Sequence, residues 1–153
     1  MQQDFRPVIY LAGPYAAPTW PRGLRWLGVL LNVRRAAIYA SRLAGLGWAP
    51  ICPHANTDLA GRLSHTRYDK FWFEVGLAHL ARADAIFLLP GYQHSTGARQ
   101  EHLLAATLGK TVFDHLQFAQ GKVPHADDWW NFCCQKNSEK IAERNGRLCS
   151  GSS

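Results

Sequence analysis

Apolar positions along the chain alternate between two kinds of run. Phe5 to Ala12 (FRPVIYLA) is β-branched and aromatic at its centre and stops at Gly13-Pro14, which predicts a strand followed by a turn. Residues 14–31 mix Pro, Trp, Arg and Gly and read as a long loop with a helical turn at most. Asn32 then reads as the cap of a helix, because Val33, Ala36, Ala37, Ala40, Leu43 and Ala44 fall at helical spacing before Gly45 and Gly47. Trp48 to Cys52 predicts a second strand closed by Pro53, and 54–68 is polar and irregular. Asp69 to Ala83 carries Phe71, Val75 and Ala78 on successive turns, so a helix is expected there. Ala85 to Leu89 (AIFLL) is unbroken apolar chain, as in a central strand covered on both faces. After Pro90-Gly91 a glycine-containing loop leads to a helix from about Ala98 to Leu108, and Lys110 to Phe113 predicts the fourth strand.

Strands alternating with helices imply an α/β fold: a flavodoxin-like or Rossmann-like parallel sheet of four to five strands with helices on both faces. The common order for such a sheet is 2-1-3-4. The crevice where that order reverses then lies between the loop after Ala12 and the loop after Leu89. Residues 1–153 read as one domain, with 114–153 a less regular C-terminal extension. Trp129, Trp130 and Phe132 are expected on the domain edge or in a subunit interface. Ser138 to Arg144 is expected to form a short capped helix ending at Gly146.

Composition narrows the partners. Apolar residues make up 47% and charged residues 18%, a globular balance, and no apolar run approaches the roughly 20 residues that span a bilayer. The N-terminus lacks the look of a secretory signal, so a cytoplasmic location is expected. The formal charge of +6 favours anionic ligands. Basic residues are scattered through Arg22, Arg25, Arg34, Arg35, Arg62, Arg67 and Arg99 rather than run together, and no recognition motif for nucleic acid is present, so a phosphorylated small molecule suits the charge better. Cys52, Cys133, Cys134 and Cys149 have no zinc spacing and are expected to be reduced. Neither a metal nor a cofactor is expected.

Candidate chemistry gathers in the two loops, IYLAGPY at 9–15 and LPGYQHSTGARQE at 89–101. Glu101 is placed in the first turn of the third helix, where the helix dipole favours the ionised carboxylate that a nucleophile requires; an ordinary glutamate near a helix start has the same spacing. Ser95 either caps that helix or holds a substrate hydroxyl or phosphate. Gly91 and Gly97 allow close backbone approach at an anion-binding helix start. This loop is not GxGxxG and not the Walker pattern with its GK[ST], which argues against a dinucleotide fingerprint and a P-loop.

IYLAGPY, a distal strand, PG, S-x-G-A-x-x-E (95–101) and A-x-x-LGK-x-V (105–112), together with NVRRAAIYASRLAGLGWAPICPH (32–54), resemble the nucleoside 2-deoxyribosyltransferase superfamily. The likeness is to its compact bacterial and phage branch and covers about 8–113. The resemblance implies that Glu101 attacks the anomeric carbon of a nucleoside or nucleoside 5'-monophosphate, with Tyr10 positioning it. The covalent glycosyl-enzyme is then resolved by water or a second base. Ser95 stands where deoxynucleoside monophosphate glycosidases have a serine on phosphate. The family also uses an aspartate in the helix before the third strand; here Gly76 stands at about that position, so Glu74 or Asp69 would have to supply the proton for the departing base.

Around these, Gly13 is a candidate substrate-binding position, and Tyr15 lines the base pocket or packs in the loop. His54 contacts base or ribose, or is a satisfied loop histidine. His94 faces phosphate or solvent, Arg22 and Arg25 are phosphate ligands or surface charge, and Arg99 points either way. Asp84 is expected to cap or orient the entry of the third strand. Alternatives are a nucleotide sensor without turnover and a glycohydrolase of NAD-like ribosylated substrates. The resemblance also implies a homo-oligomer.

Overall fold

A computed structural model describes residues 6–16, 19, 21–54 and 69–149; the side chains of 69–70 and 140–149 lie outside the description. The readings made for 54–68 beyond His54, for the side chains of Asp69 and Cys149, and for the last residues therefore fall outside the described residues.

Four parallel strands, β1 (Val8–Ala12), β2 (Ala49–Ile51), β3 (Ala85–Leu88) and β4 (Thr111–Asp114), form one sheet in the order β2-β1-β3-β4. Register pairs Tyr10 with Ile51 on one side and with Ile86 on the other. The helices are α1 (Arg25–Gly45), α2 (Asp69–Arg82), α3 (Thr96–Thr107), α4 (His115–Ala119) and α5 (Ala126–Cys149). This is the α/β fold and strand order expected from the alternating pattern.

Strand alternation divides the core in two. Ile9, Leu11, Phe87 and Phe113 point to the face covered by Ala36 and Leu43 of α1 and Ala126 of α5, around the buried Trp48. Tyr10, Ala12, Ile86 and Leu88 point to the opposite face, under Leu80 of α2 and Ala98 and Ala105 of α3. Every residue of β3 is buried, which explains why its sequence shows no polar alternation.

Two expectations are corrected. Helix α1 begins at Arg25, not after Asn32, and the described part of 14–31 is a loop only up to the 3-10 turn at Arg22–Leu24. The segment from Trp26 to Leu31 is apolar nearly all round, so it shows no helical stripe, and no side chain caps its start. Asn32 is interior to the helix; its amide donates to the Tyr15 and Ala16 carbonyls at 3.3 and 3.4 Å and holds the first loop.

The second correction is the described part of the tail, which is largely helical. Asp114 and Gln117 form a reciprocal capping box that starts α4. A single 24-residue helix replaces the short one expected at Ser138 to Arg144 and runs through Gly146. Trp129 anchors it by packing on Trp48, with ring centroids 5.0 Å apart. Trp130 and Phe132 remain exposed.

Candidate active site

Loops after β1 and β3 meet because their strands are neighbours. Gly13 is buried with its Cα against Leu89: a Cβ there would lie 2.6 Å from Leu89 Cβ. Gly91, with a left-handed φ of 82°, faces Pro14. His54 closes the group from the end of β2. It is 5% exposed, donates from Nε2 to the Gly13 carbonyl at 3.1 Å, and its ring lies 6.1 Å from that of Tyr15. Burial lowers its basicity, so the imidazole is neutral with its proton on Nε2. The satisfied-histidine alternative thus describes the contact observed.

The second cluster lies on the other face of the sheet. Tyr10, fully buried on the central β1, donates its hydroxyl to Glu101 Oε1 at 2.6 Å. Tyrosine ionisation is strongly disfavoured by burial and then by the Glu101 charge, so the phenol keeps its proton and acts as donor. Above the pair runs α2, where Gly76 is buried. A Cβ on Gly76 would lie 2.7 Å from the Tyr10 oxygen and 3.6 Å from Glu101 Oε1.

Glu101 departs from expectation in one respect. It is the sixth residue of α3, in the second turn rather than the first, and the first turn holds no acidic residue. The dipole effect fades within one turn. Burial dominates instead and raises the carboxyl from 4.5 to about 7, against the lowering effect of the Tyr10 hydrogen bond. At neutral pH the group is therefore poised between acid and carboxylate rather than fully ionised.

Helix α3 itself begins as anticipated for a capped helix: Ser95 Oγ accepts from the Ala98 amide at 3.3 Å. Gly97, next to that cap, faces the Phe73 ring, which would lie 3.8 Å from a Cβ there. His94, Arg99, Arg22 and Arg25 are exposed, and Tyr15 is on the exposed margin of its loop.

Of the two acids considered for proton delivery, Glu74 does not turn toward the pair. Glu74 is exposed on α2, and two residues from Gly76 is about 200° around a helix, so the two positions face nearly opposite directions. Asp69 opens α2 some two turns before Gly76.

Contacts missed from sequence include Phe73 against Gly97, the Cys52 thiol, which faces Tyr10 electrostatically from the end of β2, and the Asn32 bonds to the first loop. Helical periodicity could have flagged Phe73, which precedes Gly76 by three residues; nothing local signals the others. Asp84 does orient the strand entry, accepting from the Val8 amide at 2.7 Å. Among the described residues, Cys133 and Cys134 are free thiols.

Among the described residues, no group of three His, Cys, Asp or Glu side chains is placed to hold a metal ion, and no helix is long and apolar enough to cross a membrane. Comparison with curated proteins returns no match. Residues 32–114, more than half of the chain, match the family model described as Domain of unknown function (DUF4406), and the chain belongs to that family.

Proposed function

We propose that this protein cleaves or exchanges the N-glycosidic bond of a nucleoside or nucleoside 5'-monophosphate, with Glu101 as nucleophile, as in the nucleoside 2-deoxyribosyltransferase superfamily that its motifs resemble. The observation that carries the reading is the desolvated Glu101 carboxylate held by the buried Tyr10 hydroxyl on the central strand. Tyr10 engages Oε1, which leaves Oε2 to attack the anomeric carbon. The C–N bond breaks with its electron pair passing to the base, the base takes up a proton, and the sugar stays on Glu101 as an ester. Water, or a second base, then attacks the anomeric carbon and releases Glu101.

A carboxyl that titrates near 7 is a better nucleophile per ionised molecule than one titrating near 4.5, and it is ionised in half of the molecules at that pH. The loops at the carboxyl ends of β1 and β3 would take the sugar and phosphate, with Ser95, His94, Arg22 and Arg25 around the phosphate and Gly13, Tyr15, His54, Gly91 and Gly97 shaping the walls. Overall positive charge suits a phosphorylated substrate. No cofactor enters this scheme. Cytoplasmic location and a homo-oligomer, with the exposed Trp130 and Phe132 at its interface, belong to the same proposal.

A second reading has one observation in its favour. The helix position where the resemblance implies a proton donor is Gly76, packed onto the Tyr10 hydroxyl with no space for a carboxyl. That suits a nucleotide-binding protein without turnover, or a glycohydrolase of NAD-like substrates. Incubation with nucleosides, their 5'-monophosphates and NAD, with and without an acceptor base, separates the three. Released or exchanged purine or pyrimidine supports the main reading, released nicotinamide alone supports the glycohydrolase, and saturable binding with no product supports the sensor.

A further inference from the structure

Tyr10 and Glu101 sit on different elements of the fold, one on the central strand and one on α3, and a third element closes over both. That element is α2, and the point where it closes is Gly76. The positions of its neighbours show that this is a close approach of backbone to side chain: a Cβ built on Gly76 meets the Tyr10 oxygen at 2.7 Å, the ring carbon bearing it at 3.9 Å and Glu101 Oε1 at 3.6 Å. An oxygen at the end of an exposed tyrosine would swing aside. This one cannot do so cheaply, because the ring is fully buried on β1, within the cluster formed by Leu80, Ile86 and Ala98, and its hydroxyl is committed to Glu101. A glycine inside a helix is unfavourable by its own propensity, so its presence here needs a packing reason.

We propose that Gly76 is a positioning residue: its bare backbone is what allows the Tyr10 hydroxyl to reach Glu101 Oε1 beneath α2. Any side chain at 76 drives the hydroxyl off the carboxylate or lifts the helix from the sheet. Its effect on turnover rests on the reading given above, whereas its effect on the pair does not.

The test is a two-by-two cycle of Gly76→Ala and Tyr10→Phe in the full chain, read by thermal unfolding and by the titration of the Glu101 carboxyl followed through carbon-13 labelling. Removing the hydroxyl removes the atom that a Cβ would strike, so the two substitutions must interact. Gly76→Ala alone is expected to lower the melting temperature by about 5 °C. In the Tyr10→Phe background the same change is expected to cost nothing, or to raise the melting temperature, since alanine is the better helix former. Each single substitution is expected to shift the Glu101 titration to higher pH, because each removes the hydrogen bond that lowers it, and the double variant is expected to go no further than Tyr10→Phe. The Cys52 thiol, the other titratable group facing Tyr10, is unchanged in all four proteins. Should Gly76→Ala fail to fold, recovery of folding in the double variant supports the proposal and its failure there overturns it. An equal cost in both backgrounds, or an unmoved Glu101 titration in Gly76→Ala, also overturns it. If the cycle behaves as expected while no N-glycoside is turned over, the positioning role stands and the proposed reaction falls.

Discussion

The Tyr10 hydroxyl and the Glu101 carboxylate lie 2.6 Å apart although 91 residues separate them in the chain; Tyr10 is fully buried and Glu101, on α3, is half-buried beside it. The bond makes Glu101 more acidic than its burial alone would allow, yet burial still leaves it near 7.

A stability prediction follows from that balance. A carboxyl whose folded-state value is raised contributes stability below its unfolded value near 4.5 and loses it as pH rises through about 7. Glutamine at this position cannot ionise but can still accept from Tyr10. Glu101→Gln should therefore match the wild type near pH 4.5 and become the more stable protein above pH 7, by up to about 3 kcal/mol. Melting temperatures across that range check it; a difference that does not grow with pH contradicts it.

Tyr10→Phe removes the one contact known to lower the Glu101 value. The midpoint of the rising limb of activity against pH should move above 7, and the plateau rate should fall. Stability at pH 8 should drop by about 1–3 kcal/mol, since a charged buried group loses its donor. A pH profile of kcat/KM for both proteins reads the shift directly.

Gly13→Ala places a methyl 2.6 Å from Leu89 Cβ and 2.7 Å from its Cδ1, at the point where the first and third strands end. Overpacking of this kind costs about 1–3 kcal/mol. Urea unfolding should show the loss, and pairing the substitution with Leu89→Ala should return part of it; no interaction between the two changes would mean that the strand ends adjust freely.

Asp84 brackets Val8, accepting from its amide at 2.7 Å through the side chain while donating its own backbone N–H to the Val8 carbonyl at 2.8 Å. Asp84→Ala leaves a partly buried amide unpaired and should cost about 1–3 kcal/mol. Asn retains an acceptor, so Asp84→Asn should cost less. Equal losses for the two would show that the contact is not the source.

Much of the fold was legible because each strand and each of the middle helices has one dominant period. AIFLL has the unbroken apolar run of a strand covered on both faces, and the common order 2-1-3-4, which the sheet has, sets IYLAGPY beside LPGYQHSTGARQE. The start of α1 was hidden because Trp26 to Leu31 is apolar on every side and carries no cap. Helix α5 was hidden because its apolar residues are few and its middle contains Asn137 and Ser138; packing of Trp129 on Trp48 holds it where local preference does not.

At the site, the pairing of Tyr10 with Glu101 came from resemblance, since no spacing rule links residues on a strand and a distant helix. The ionisation of Glu101 was misjudged because helix position is visible in a sequence and desolvation is not. The closeness of Gly76 to the Tyr10 oxygen is equally a property of three elements meeting: a glycine inside a helix signals close packing but not what it packs on.

The most direct test is the intact mass of the protein during incubation with a panel of nucleosides and nucleoside 5'-monophosphates, run beside Glu101→Gln. The account predicts free base in solution, a transient added sugar or sugar phosphate mapping to the peptide that contains Glu101, and loss of at least about 1000-fold in base release for the variant. Base release that survives Glu101→Gln undiminished, or no release from any N-glycoside offered, would contradict it.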